Sequence, residues 1–322
     1  MKFYDIRDYL GDLRGISIII GGRGIGKTYS ALSFVIENKE PFMYLRNTMI
    51  QLTESASDFG NPFKKLNKDK GWDITMRMSK QHADILDENG NIIGYGAALS
   101  TFENLRGVDL SDVNWVIFDE FIELRKLTFD QWNSFQKFYE TVNRNRELFG
   151  EPPLKCILLS NSQSLNNPIL MGYNLIGVIE GMIASGQKKF KRDNIFIQLP
   201  ESEISELKKQ TANYRMIKGT TVYEEALNNK FAHDSFYGVK KRNINEYKCL
   251  CKVDDMYLYQ HKSNGRLYVC NIQALNVKEF NTKNNGVLWY RQYARWLILD
   301  YARGLVEFSD FTTKSKFMKI IE

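Results

Sequence analysis

Eight consecutive residues, Gly21, Gly22, Arg23, Gly24, Ile25, Gly26, Lys27 and Thr28, spell G-x-x-x-x-G-K-T. That spacing is a phosphate-binding loop. Successive backbone N–H groups wrap a phosphate, the glycines let the main chain approach it closely, the lysine neutralises the β and γ oxygens, and the threonine hydroxyl is a ligand for Mg²⁺. ATP and Mg²⁺ are therefore the expected ligands. A second constellation, Asp119-Glu120, follows the apolar run Val116-Ile117-Phe118. Adjacent carboxylates have separable tasks at a triphosphate: Asp119 would hold the Mg²⁺ water shell and Glu120 would polarise the attacking water. A base beside the γ-phosphate serves turnover, so the pair favours hydrolysis over binding alone. Asn161, closing Leu159-Ser160-Asn161, is a candidate γ-phosphate sensor, although asparagine is also an ordinary turn residue.

Phosphoryl transfer needs positive charge from beyond the loop itself. Arg144 and Arg146, in Val142-Asn143-Arg144-Asn145-Arg146-Glu147, are candidates to cross from one subunit to the next, and Arg106, in Glu103-Asn104-Leu105-Arg106-Gly107, is a third. Arg144 and Arg146 finish an expected helix, where cations would equally just complement its dipole. Arg46 and Arg23 are candidates for holding the loop or the phosphates from within the same chain. The sequence alone does not rank these arginines.

These side chains need strands that end near one another. Ile16 to Ile20 is a β-branched run of isoleucines with Ser17 among them, broken by Gly21, and Tyr29, Ala31, Leu32, Val35 and Ile36 then recur at helical spacing. Residues 41–46, 113–118, 155–161 and 194–199 read as further short buried strands. Between 73 and 99 the pattern is a meander, expected as an antiparallel insertion at the sheet edge. Phe129 to Leu148 reads as a helix with Trp132, Phe135, Tyr139 and Val142 on one face. Such alternation predicts a mostly parallel sheet between helices, with ligand at the carboxyl ends of the strands.

After Pro200 the character changes. Residues 201–229 are charged and helix-prone, and the remainder carries short strands, an Asn264-Gly265 turn and a helix over Val287 to Arg303 with an apolar stripe of Val287, Tyr290, Ala294, Leu297 and Tyr301. The expected organisation is a nucleotide-binding domain over 1–200, a helical linker over 201–230 and a small α+β domain over 231–322. In bulk, 322 residues with 43% hydrophobic and 25% charged side chains describe a globular chain, and the formal charge of +6 permits a polyanionic partner without requiring one. The basic runs Lys188-Lys189-Phe190-Lys191-Arg192 and Lys240-Lys241-Arg242 are candidates for nucleic-acid phosphate contact, or simply solvated surface. The four cysteines form no C-x-x-C pair and the three histidines have no ligand spacing, so free thiols and no structural metal are expected. With no signal segment and no apolar run near ~20 residues, a cytosolic protein without a membrane span is expected.

The ordered set Gly-Gly-Arg-Gly-Ile-Gly-Lys-Thr, Phe42-Met43-Tyr44-Leu45-Arg46, Val116-Ile117-Phe118-Asp119-Glu120-Phe121-Ile122, Arg144-Asn145-Arg146-Glu147, Leu159-Ser160-Asn161 and Asn167-Pro168 resembles the DNA encapsidation ATPases of Salasvirus-like short-tailed phages of Gram-positive hosts. The resemblance spans most of the first ~200 residues and recurs weakly around Tyr293 to Glu307. It implies an additional-strand, catalytic-glutamate P-loop ATPase with a small RNase-H-like C-terminal domain lacking nuclease activity. It further implies a homomeric ring, pentameric in the family, that translocates double-stranded DNA into a procapsid. The ring would sit transiently at the portal vertex in the host cytoplasm, seated through a structural packaging RNA. Carried over by position, Lys27 and Thr28 are loop ligands, Asp119 and Glu120 the metal-binding and base pair, and Arg144 the trans-acting finger. Arg106 falls where the family has a lysine implicated in trans contact. Two other readings stand beside it: a terminase-like motor with its own nuclease, and a nucleotide-gated assembly module without processive turnover.

Overall fold

The computed structural model describes residues 3–105, 109–125, 127–220, 223, 226, 227, 231 and 238–321. Two compact units emerge, one of Met1–Tyr173 with Gly181–His233 and one of Asn174–Glu180 with Asp234–Glu322. Residues 201–220, expected as a separate linker, thus cluster with the phosphate-binding loop.

The first unit contains, in chain order, β1 (Ile16–Ile20), α1 (Lys27–Glu37), β2 (Phe42–Arg46), α2 (Met49–Ser55), α3 (Lys64–Lys70), β3 (Thr75–Met78), β4 (Ala83–Leu86), β5 (Ile92–Ala98), β6 (Trp115–Asp119), α4 (Gln131–Asn143), β7 (Lys155–Ser160) and α5 (Pro168–Gly172). There follow α6 (Ile176–Ser185), whose residues up to Glu180 group with the second unit, then β8 (Lys189–Arg192), β9 (Ile195–Gln198), α7 (Glu203–Lys209) and α8 (Ala212–Met216). The strands form one sheet in the order β3-β4-β5-β2-β6-β7-β1-β9-β8. Every residue of β1, β2 and β6 is buried, as a sheet covered on both faces requires, which is why these strands read as continuous apolar runs. β7 pairs in parallel with β1 on one side and β6 on the other, so an extra strand separates the phosphate-loop strand from the acidic strand.

The expected meander is present: β5 runs parallel to β2, and β4 and β3 add antiparallel at that edge. The opposite edge holds a surprise, since the basic run at Lys189–Arg192 is strand β8, antiparallel to β9. Lysines on an edge strand are a usual defence against pairing with another chain, and their charge hid the strand from an apolar-pattern reading.

Helix α4 is shorter than expected. Phe135, Phe138 and Val142 are buried, but the helix stops at Asn143, and Arg144 takes a left-handed φ of 49° before a 3₁₀ turn over Arg146–Phe149. Each fully buried phenylalanine here contributes about 2 kcal/mol of apolar transfer.

The second unit has β10 (Tyr247–Val253), β11 (Met256–His261), β12 (Leu267–Cys270), β13 (Lys278–Phe280), α9 (Thr282–Trp289), α10 (Arg295–Ala302), β14 (Val306–Phe308) and α11 (Phe311–Ile321). Its sheet runs β13-β10-β11-β12-β14, and the unit is α+β as expected. A π turn over Tyr290–Ala294 joins α9 to α10. Because that turn holds an extra residue, the buried face is rotated: Trp289, Ala294 and Leu297 lie in the core while Val287 and Tyr290 are exposed, correcting the stripe expected from an unbroken helix. The four cysteines are free thiols. Among the described residues no helix is long and apolar enough to cross a membrane.

Candidate active site

The loop from β1 to α1 turns through positive φ at Gly24 (70°) and Gly26 (102°), a conformation that leaves glycine the favoured residue at both positions. Gly26 caps α1 without a side-chain bond, so the first N–H groups of α1 remain directed at the loop. Lys27 Nζ folds back onto the Gly21 and Gly22 carbonyls, both at 2.8 Å, and onto Asn161 Oδ1 at 3.2 Å. Burial pushes the Lys27 ammonium down to about 8, against the opposing pull of Asp119. Asn161 reaches the loop because β7 is the immediate neighbour of β1.

Asp119 ends β6 one strand further on. Its Oδ1 accepts from Thr28 Oγ1 at 2.8 Å and its Oδ2 from Tyr44 Oη at 3.1 Å. Burial pushes its carboxyl up, while the Arg46 guanidinium and the Thr28 hydroxyl pull the other way. Arg46 Nη1 lies 3.3 Å from Asp119 Oδ2, and Arg46 Nη2 lies 2.7 Å from Glu120 Oε2. Burial works against the charged guanidinium, but Tyr44, Asp119 and Glu120 together hold its pKa above the ordinary value. The strand register explains the meeting: Leu45 pairs with Phe118, so the next residues of β2 and β6 are Arg46 and Asp119.

Glu120 adopts a left-handed φ of 53°, unusual for a residue with a side chain. A buried amide network holds that bend. Asn47 Nδ2 donates to the Glu120 carbonyl at 2.9 Å, Gln131 Nε2 donates to Asn47 Oδ1 and to the Phe121 carbonyl, both at 2.7 Å, and Asn167 Nδ2 donates to Gln131 Oε1 at 2.9 Å. The backbone thus turns Glu120 out of the sheet into a half-exposed position beside the loop.

The donor set fits Mg²⁺, which favours hydroxyl and carboxylate oxygens: Thr28 and Asp119 offer one of each, already in contact. A cavity of about 210 Å³ lies over the loop, lined among others by Lys27, Thr28, Asp119, Glu120 and Asn161. Tyr29 connects it to a second space of about 550 Å³, also lined by Phe3, Tyr4, Arg7 and Lys65, an apolar and aromatic lining suited to a flat base.

The sequence reading named the loop, Asp119, Glu120 and Asn161, and the structure brings these together. Arg23 is exposed at the crown of the loop, and Arg46 holds the two carboxylates rather than reaching the loop. Tyr44 and the Asn47–Gln131–Asn167 network were not anticipated. The signal for Tyr44 was its two-residue spacing from Arg46 on a strand beside the acidic one. Arg106 lies outside the described residues. Arg144 is exposed and its Nη2 approaches Asp109 at 3.4 Å. Arg146 is placed differently: only 7% exposed, it donates to the Ser111 and Val113 carbonyls at 2.5 and 2.7 Å. A guanidinium so used holds its own loop together and is not presented to another subunit.

Of the basic runs, Lys188 pairs with Glu201 at 2.6 Å, and Lys189 and Lys191 both pair with Asp12, so part of that charge is neutralised within the chain. Arg242 is bound through two nitrogens to Glu307, while Lys240 and Lys241 are exposed. Asp254 accepts from the N–H and the hydroxyl of Thr282 at the start of α9, and Asp255 pairs with Lys316.

An interposed strand, a glycine-rich loop on one side of it and an Asp-Glu terminus on the other define an additional-strand P-loop NTPase fold. The chain belongs to the Podovirus DNA encapsidation protein (Gp16) family, whose profile matches residues 1–285, and DNA encapsidation is its function. It is 26% identical over 250 residues to the DNA packaging protein of Bacillus phage PZA, covering 75% of this chain and 69% of that one. Its fold is similar to a chain of the bacteriophage Phi-29 viral genome packaging motor assembly, with a TM-score of 0.69 and 21% identity over 99% of each chain. It is likewise similar to a chain of the Phi-28 gp11 DNA packaging motor, with a TM-score of 0.67 and 20% identity over 99% of this chain and 98% of that one.

Proposed function

We propose that this chain hydrolyses ATP with Mg²⁺ and couples the hydrolysis to movement of double-stranded DNA into a procapsid. The observation that carries this reading is the contact between Thr28 and Asp119, 2.8 Å apart, with Glu120 next in sequence and bent out beside the loop. Loop N–H groups and Lys27 hold the β and γ oxygens, Asn161 monitors the γ end, and the base lies against Tyr29 and Phe3. Thr28 and Asp119 would hold Mg²⁺, which would supply charge neutralisation at the phosphates. Glu120 takes the proton of the attacking water and stands where a developing nucleophile needs a general base.

Phosphoryl transfer draws on positive charge from beyond the loop itself. Arg144, exposed on the turn after α4, is therefore read as the group lent to a neighbouring subunit in a homomeric ring. The reading has such a ring, with five subunits as the expected number, sit at the portal vertex of a procapsid in the host cytoplasm, with a structural packaging RNA as a further partner. The packaging motor assemblies of similar fold support this placement. DNA would be held by its phosphates without sequence readout, for which Lys240 and Lys241 are available.

The test is ATP turnover by the purified chain with and without duplex DNA and procapsids. Stimulation of phosphate release is the expected result. A rate that none of these components changes would overturn the coupling, and no release under any condition would overturn the ATPase reading.

A further inference from the structure

The phosphate loop is roofed by α7. A side chain on Gly22 would strike the Ala226 carbonyl at 2.5 Å and come within 3.5 Å of Ser205 Oγ. A side chain on Gly24 would meet Lys208 Nζ at 2.8 Å. Lys208 itself is half-buried and donates to the Arg23 carbonyl at 2.5 Å.

The Lys208 ammonium is thus held by a carbonyl and not by a carboxylate. Its neighbour Lys209 is paired with Glu206 at 2.6 Å, whereas Lys208 has no carboxylate partner among the described residues. Arg23 and Lys27 lie in its field, and both repel it electrostatically. Burial, with Arg23, pushes the Lys208 ammonium below its ordinary value. The nearest carboxylates of the site, Asp119 and Glu120, are already held by Arg46. Lys208, Lys27 and Arg23 thus bring three cations to the loop, against Asp119 and Glu120, which also serve Arg46, so positive charge is in excess there and favours an anionic ligand.

Resting on the ATP-binding reading above, we propose that Lys208 is a nucleotide-contacting residue: when a triphosphate fills the loop, its ammonium exchanges the Arg23 carbonyl for a terminal phosphate oxygen. Gly24, favoured there by its positive φ, is the loop residue that Lys208 lies against. In sequence α7 opens the stretch that leads to the second unit, so this contact ties the start of that stretch to the state of the nucleotide. A tether alone would be better made by a neutral donor, which carries no repulsion from Arg23 and Lys27.

The experiment compares binding of AMP, ADP and a non-hydrolysable ATP analogue to the full chain by displacement of a fluorescent ADP, for wild type, Lys208→Ala and Lys208→Arg. Lys208→Ala is expected to weaken the triphosphate analogue about tenfold, as loss of one charge-assisted bond does, with AMP changed less than about twofold. Lys208→Arg should restore most of the loss. Equal losses for AMP and the triphosphate, or none for either, overturn the proposal and leave Lys208 as a structural tether. Lys208→Gln, which keeps a donor for the Arg23 carbonyl but no charge, gives the same comparison should the alanine variant not fold. A wild-type chain that binds no nucleotide overturns the ATP-binding reading together with this one. A wild-type chain that binds as tightly as its Lys208→Ala variant overturns this one alone.

Discussion

Arg46 Nη2 stands 2.7 Å from Glu120 Oε2, and the same guanidinium reaches Asp119 Oδ2 at 3.3 Å. One cation therefore joins both carboxylates of the acidic strand. The bond to Arg46 occupies Glu120 Oε2, so that oxygen is free to accept from a water only once the guanidinium has moved away. Strand β2 thus bears on the reactivity of a residue that β6 supplies.

Glu120→Gln keeps the size and hydrogen-bonding capacity of the side chain and removes the base. Nucleotide affinity should stay within about threefold of wild type while the turnover rate falls by about 10² or more. Equilibrium binding and steady-state phosphate release on the same preparation separate the two. Retained turnover would remove Glu120 from the role of base.

Arg46→Ala leaves Asp119 buried without its cation; the two side chains are each only 11% exposed. Removing one partner of a buried pair costs about 3 kcal/mol or more, because the remaining charge is uncompensated. Denaturant unfolding should show that loss, and Arg46→Ala combined with Asp119→Asn should recover part of it. A variant as stable as wild type would mean that the pair is solvated in the folded chain.

Burial pushes Lys27 from 10.5 down to about 8. Below that value the ammonium is charged and available to phosphate; above it the free chain must take up a proton to bind. Triphosphate affinity is therefore expected to be flat near pH 7 and to fall as pH rises through about 8, approaching about tenfold per unit. Isothermal titration across this range in buffers of different ionisation enthalpy would register the proton uptake. An affinity independent of pH up to ~9.5 would place Lys27 at its ordinary value.

The two arginines after α4 should separate cleanly. Arg144→Ala should leave thermal stability unchanged, since its side chain is half-exposed and its contact with Asp109 is solvated. When such subunits are mixed with wild type, activity should fall more steeply than dilution predicts. Arg146→Ala strands the buried carbonyl of Val113, frees the part-buried one of Ser111, and should lower stability by about 2 kcal/mol. Linear dilution by Arg144→Ala, or an undiminished melting temperature for Arg146→Ala, would contradict the assignment.

Much of this was legible from residue order because the chemistry is local. Gly21 to Thr28 is a contiguous loop whose backbone, more than its surroundings, makes the phosphate site, and the buried parallel strands announce themselves as apolar runs. Strand β8 was missed because its lysines face solvent at an edge, and the stripe of the long helix was misplaced because a π turn shifts the phase without a mark in composition. Arg144 and Arg146, two residues apart in one motif, look equivalent in sequence; a left-handed residue at 144 sends one outward and the other into the chain.

By itself the sequence determined the phosphate loop, the acidic pair and the α/β alternation that sets them at strand ends, since each depends on neighbours within a few residues. Only the tertiary structure decided that β7 lies between the loop strand and the acidic strand, that Arg46 grips Glu120, and that Lys208 rests over Gly24. Those contacts join residues tens to nearly two hundred positions apart, and register and packing, which no local pattern encodes, bring them together.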